Sequence, residues 1–121
     1  DTIGKPLAGR LNVVMTRHPE RYEARDNLIF TGDPPQAILS TLAGRGYASA
    51  ALTGGATINT LFARSCLIDD LVVTISPTLF GEGLSMFSDA VNVRLQLLAV
   101  REIEPGVVVL HYKCHYDKGF V

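Results

Sequence analysis

The stretch whose residue types could do chemistry is Thr53-Gly54-Gly55-Ala56-Thr57-Ile58. Ala50, Ala51 and Leu52 lead into the glycine pair as a short apolar strand. Ile58, Leu61 and Phe62 follow at the i, i+3, i+4 spacing of a helix with one buried face. A helix that opens directly behind two glycines leaves its first backbone N–H groups unpaired, and its dipole adds roughly half a positive charge there. Glycine carries no Cβ to hold an anion at a distance, so the junction is chemically suited to cradle a diphosphate. The same residues also make an ordinary tight turn, and the glycine pair by itself does not choose between the two.

Other residues offer further chemistry. Thr16-Arg17 follows an apolar run, and ligands of open α/β sheets gather at the carboxyl ends of strands. A hydroxyl beside a planar fork of guanidinium donors suits the 2′-phosphate of NADPH. The alternative is a solvated strand end, since Glu20, Glu23 and Asp26 balance Arg17, Arg21 and Arg25 nearby. Arg10 could grip a substrate carboxylate or phosphate, or simply solvate a loop. Glu82, in Gly81-Glu82-Gly83, could bond a ribose hydroxyl or a ring nitrogen, or be the exposed acid of a glycine turn. His111, Cys114 and His115 have the types of metal ligands. On a strand, however, His111 and His115 share one face while Cys114 takes the other, and no second pair completes a tetrahedral set. No metal is expected, and no nucleophile–base assembly has a local signature.

The elements that must position these groups follow from periodicity. Residues 1–10 contain Gly4, Pro6 and Gly9 and predict a loop. Residues 11–16 predict a strand, with Val13, Val14 and Met15 covered on both faces. Residues 28–31 predict a second strand. Asp33-Pro34-Pro35-Gln36 predicts a helix start, with Asp33 as cap, Pro34 in the first helical position and Gln36 closing a capping box. Ala37, Ile38, Leu39 and Leu42 supply its buried stripe, and Gly44 or Gly46 ends it. A strand over 47–52, the glycine turn and a second helix to about Ser65 follow. Residues 71–75 predict a buried strand. Residues 91–100 and 106–116 predict a long hairpin turning at Glu104-Pro105-Gly106. The order is α/β with parallel crossovers first and an antiparallel pair last.

Length and composition narrow the classes. The chain has 121 residues, enough for one small domain. A net charge of −1 with both signs dispersed gives no electrostatic basis for a nucleic-acid partner. No apolar run reaches the roughly 20 residues of a membrane span. Two cysteines far apart, Cys66 and Cys114, fit reduced thiols and a cytoplasmic location.

Read together, the motifs form a resemblance. Ile3-Gly4-Lys5-Pro6-Leu7-Ala8-Gly9-Arg10-Leu11-Asn12-Val13-Val14 and the Thr53–Ile58 turn are similar to segments of dihydrofolate reductases. Leu67-Ile68-Asp69-Asp70-Leu71, then Ile75-Ser76-Pro77-Thr78-Leu79-Phe80-Gly81-Glu82-Gly83 and Phe87, more closely resemble a sister family. That family is the reductase domain of the bacterial riboflavin-biosynthesis deaminase/reductase, which more often has Glu where Asp70 stands.

The resemblance implies a dihydrofolate-reductase-like three-layer sandwich: a mixed, mostly parallel sheet flanked by helices, closing on a C-terminal antiparallel hairpin. It implies NADPH as cofactor, with Thr16 and Arg17 on the 2′-phosphate and Gly54, Gly55, Ala56, Thr57 and Ile58 around the diphosphate. Arg10 would hold the substrate's anionic end. The activity implied is hydride transfer to a ribosylaminopyrimidine or pterin-like small molecule. The resemblance also implies that residues 1–121 are a single reductase-like domain lacking an N-terminal strand and helix, and the general acid that such a segment would supply has no counterpart here. The glycine loop at 81–83 is shorter than in the riboflavin-pathway reductases themselves, and the deaminase motif (His-x-Glu with Pro-Cys-x-x-Cys) is missing. Two other readings stay open: a nucleotide-binding module without turnover, and a structural homodimer joined through the final hairpin, with Val93, Val107 and Val109 on one face.

Overall fold

The computed structural model describes residues 9–116. The expected loop over residues 1–10 therefore lies mostly outside the described residues, as does most of the first resembling motif. The chain divides into two compact units, Asp1–Tyr47 and Ala48–Val121.

In the first unit, β1 (Asn12–Met15) pairs in parallel with β2 (Leu28–Thr31), with Val13 opposite Ile29 and Val14 opposite Phe30. The ladder continues at both ends, where Asn12 N–H donates to Asn27 O and Thr16 N–H to Thr31 O. Parallel strands need a long connection. It is a one-turn 3₁₀ segment, Pro19–Arg21, and an irregular stretch in which Tyr22 stacks on Phe30 at 4.8 Å. All of β1 is half-buried rather than covered on both faces.

α1 (Pro35–Gly44) begins one residue later than the sequence predicts. A residue before proline is driven out of helical space. Pro34 accordingly has φ −69 and ψ 160 and becomes the N-cap, and Pro35 takes the first helical position. Asp33 does not cap, and the box with Gln36 does not form; the Asp33 N–H donates to Thr31 Oγ1 instead. Pro35 and Ile38 are buried. The helix ends as expected, with Gly46 at φ +94 just past the cap.

The strand expected over 47–52 is not formed. Among the described residues, 48–55 make no ladder and are largely exposed. Ala48, Ser49, Ala50 and Ala51 are small and weak strand formers, and such a run becomes a strand only when a neighbour supplies the partner groups. α2 (Ala56–Arg64) follows and buries Thr60, Phe62 and Ala63. Leu61, placed on the buried face by its spacing, is 43% exposed.

β3 (Asp70–Ile75), β4 (Arg94–Glu104) and β5 (Val107–His115) form an antiparallel sheet in the order β3-β5-β4. The hairpin turns at Pro105-Gly106 as predicted, and Gly106 has φ +81. β3 is not a doubly buried strand: Leu71 and Val73 are half-buried, while Val72 and Ile75 face solvent. β4 starts at Arg94, so Val93 lies outside the hairpin ladder, and every residue of β4 is exposed. A register shift between Leu97 and Ala99 marks a bulge on this edge strand. No helix among the described residues is long and apolar enough to cross a membrane.

Tyr116 closes the sheet's end. Its hydroxyl donates to Ile68 O at 2.8 Å and accepts the Ile68 N–H at 3.1 Å. Burial pushes this phenol up to about 12 from the ordinary 10.0. A raised acid pKa means the fold holds the neutral form. The stability it contributes is complete below pH 10 and is lost as pH rises from 10 through 12. Denaturation midpoints taken from pH 8 to 12 should fall over that window, and Tyr116→Phe should flatten the fall. Identical pH profiles for the two proteins would refute this role.

Candidate functional site

The glycine turn of the second unit opens α2. Gly54 has φ +102, a conformation closed to ordinary L-residues, and the Gly54–Gly55 peptide is cis. Gly55 is the N-cap of α2 and has no side chain to satisfy the helix's first donors. The first intrahelical bond is Asn59 N–H to Gly55 O at 2.9 Å, so the N–H groups of Ala56, Thr57 and Ile58 precede it. A cleft of about 400 Å³ opens at this point, with residues 53–56 and Asn59 on one side and residues 84–88 on the other. A Cβ built on Gly55 would meet no atom within 4 Å, so the space over the turn is open.

The opposite wall is held by α2 itself. Asn59 Nδ2 donates to Met86 O at 2.9 Å. The Thr60 hydroxyl donates to Ala56 O at 2.8 Å and accepts the Ser88 N–H at 2.9 Å, so the Ser88 hydroxyl, 3.2 Å away, is the donor of that pair. Arg64 donates through Nε and Nη2 to Ala90 O and sits 3.2 Å from Asp89. The Ala90 N–H and the Arg64 charge together hold the Asp89 carboxyl below its usual range. Sequence reasoning missed this wall. A signal was present, since Thr60 and Arg64 lie four apart on a helix whose other face is apolar.

Gly54, Gly55 and Ala56 therefore line the cleft, whereas Thr57 and Ile58 are outside its lining. Glu82 is exposed and outside the lining, in a loop whose Leu79, Phe80 and Leu84 are almost wholly bare. Among the described residues, no titratable side chain lines the cleft. In the first unit, Thr16 is half-buried at the end of β1 and Arg17 is exposed. Thr16 Oγ1 accepts the His18 N–H at 3.1 Å, which leaves its own proton to donate. Arg10 is exposed, and its carbonyl accepts from Asn12 Nδ2 at 3.0 Å. The first unit's own cleft, of about 330 Å³ between β2 and α1, contains none of the predicted site residues.

His111 and His115 do share one sheet face with Cys114 on the other. His111 Nε2 lies 2.7 Å from Asp70 Oδ2, and His115 Nε2 lies 2.9 Å from Gln96 Oε1. Burial pushes the Cys114 thiol above its ordinary value. Both cysteines are free.

A parallel strand pair, two helices and an antiparallel three-stranded sheet make this a mixed α/β fold, which solved structures share. A putative riboflavin biosynthesis protein from Shewanella sp. PV-4 superposes with a TM-score of 0.76 at 19% identity, over 89% of this chain and 62% of that one. RibD of Acinetobacter baumannii superposes at 0.66 and 22% identity, over 86% of this chain and 31% of that one. Residues 9–109 match the model of the RibD C-terminal domain, and the chain belongs to that family, the riboflavin-biosynthesis reductase domain. The uncharacterized protein YwjB of Bacillus subtilis is 24% identical over 108 residues, 88% of this chain and 61% of its own length. The chain thus spans about three fifths of the length of YwjB and of the Shewanella protein.

Proposed function

We propose that the chain is an NADPH-dependent reductase acting on a ribosylaminopyrimidine or pterin-like small molecule, in a dihydrofolate-reductase-like three-layer sandwich. The carrying observation is the glycine turn at the head of α2: an uncapped helix start facing an open cleft, in a chain of this reductase family. The backbone N–H groups at 56–58 would hold the diphosphate, and the absent Cβ atoms of Gly54 and Gly55 would let it approach. Thr16 and Arg17 are the proposed partners of the 2′-phosphate, as hydroxyl donor and bidentate guanidinium. Arg10 would take the substrate's anionic end, with Glu82 as a possible second contact. The cofactor supplies the hydride when bound; the protein binds it, orients it and excludes water.

One observation favours a second reading, nucleotide binding without turnover. Among the described residues, those that line the cleft include no carboxyl, imidazole, thiol or amine side chain to act as a general acid. NADPH consumption in the presence of pyrimidine or pterin substrates separates the two.

The binding test is thermal unfolding with NADPH, with NADH as control. A ligand that binds only the folded state adds about 2.7 kcal/mol at a hundredfold excess over Kd. That is a rise of several degrees for a domain of this size. The shift should be much smaller with NADH, and Arg17→Ala should erase the preference. Equal shifts with both cofactors would remove Thr16 and Arg17 from the site, and no shift with either would remove the cofactor.

A further inference from the structure

We propose that Asn59 is a positioning residue that fixes the width of the cofactor cleft; the inference rests on the proposed cofactor. Its side-chain amide is bonded to one wall and stands beside the glycine turn of the other. Nδ2 donates to Met86 O at 2.9 Å, and the same nitrogen would lie 3.5 Å from a Cβ built on Gly54. One half-buried side chain on the first turn of α2 therefore spans from the glycine turn to residues 84–88. A diphosphate seated on the backbone N–H groups of that turn would have this second wall beside it. The distance between the walls is set by the length of the Asn59 side chain and its one hydrogen bond.

The tie is separable from the rest of the segment's anchorage. Thr60 holds Ser88, and Arg64 holds Ala90 through two donors, so residues 88–90 stay on α2 when Asn59 is changed. What the substitution removes is the bond to Met86 O, within 84–87. Loss of Asn59 should therefore loosen one wall without unfolding the unit. Asp is the informative replacement, because it keeps the shape and volume of Asn and removes the donor. It also places a carboxylate where the cofactor's negative charge would sit.

The test uses the 121-residue chain and the variants Asn59→Ala and Asn59→Asp. Amide hydrogen exchange is measured first without ligand, then NADPH affinity by titration. The expected result is faster exchange at 84–87 in both variants with an unchanged unfolding midpoint. Kd for NADPH should rise about tenfold in the Ala variant, as one lost hydrogen bond allows, and further in Asp. Unchanged exchange at 84–87 in both variants would overturn the positioning role even if NADPH binds. Unchanged Kd with faster exchange would overturn the link between wall and cofactor. A wild-type chain that ignores NADPH would overturn the cofactor reading instead. The ligand-free exchange data would still report whether Asn59 holds the segment, so the two failures are distinguishable.

Discussion

Replacing Phe62 with alanine is expected to remove about 3–5 kcal/mol of folding stability, the usual cost of emptying a buried aromatic site. Phe62 is 8% exposed and, with Ala63 at 3%, makes up the buried hydrophobic residues among the described residues of the second unit. The unit spreads most of its remaining apolar side chains over exposed strands, with Leu95, Leu97, Val100 and Ile103 each about half in water. Few other residues can compensate. A whole domain is stable by only about 5–15 kcal/mol, so this one change takes a large share. Urea denaturation should show a much lower midpoint with little change in slope. Leu61→Ala is the control, because its side chain is 43% exposed although adjacent in sequence. Equal losses in the two variants would mean that burial along α2 is not as described.

The second large effect concerns the glycine pair, whose two members should fail in different ways. Gly54 has φ +102, and an alanine there should cost about 1–3 kcal/mol of backbone strain. The added Cβ would sit 3.5 Å from Asn59, an ordinary contact, so the cost lies in the backbone and not in a clash. Gly55 has φ −76, a value any residue adopts, and a Cβ on it meets nothing. Gly55→Ala should therefore fold normally. Its methyl would enter the open cleft and hold a diphosphate off the helix's first donors, weakening NADPH binding by well over tenfold, as loss of more than one charge-assisted hydrogen bond implies. Unfolding midpoints and NADPH titrations on both variants test this. A Gly54→Ala protein as stable as wild type, or a Gly55→Ala protein with unchanged affinity, would contradict it.

What the sequence made legible is what local chemistry controls. β2 spans the predicted residues, and the hairpin turns at Pro105-Gly106, where composition leaves little choice. The turn and the helix behind it were readable because a glycine pair breaks the chain and Ile58 and Phe62 follow at helical spacing, although what the turn holds was not readable from the pair alone. The failures have physical causes too. Asp33 lost its capping role because Pro35 forbids Pro34 a helical ψ, a restriction that acts one residue back along the chain. The strand expected at 47–52 depended on a partner, and strand formation is a property of pairs. Leu61 fits the i, i+3 rule but belongs to a helix that buries Thr60 instead, because that hydroxyl is needed against Ser88. The spacing of Thr60 and Arg64 marks a polar face on α2, but not which distant segment it holds: the wall at 84–88 is fixed by bonds from Asn59 to Met86 O and from the Ser88 N–H to Thr60, and spacing along one helix does not name such partners.

α2 has consequences for how such a chain can diverge. Its nine residues serve three ends at once: Phe62 and Ala63 fill the interior, Asn59, Thr60 and Arg64 bind the neighbouring segment, and Ala56 and Asn59 line the cleft. A substitution accepted for one purpose is constrained by the others. Latitude is concentrated at Thr57 and Leu61, whose side chains point into solvent. Selection for a new ligand would find the helix nearly closed to change, and drift would have to begin in the bare loop around Leu79 and Phe80, where a replaced side chain disturbs no packed neighbour.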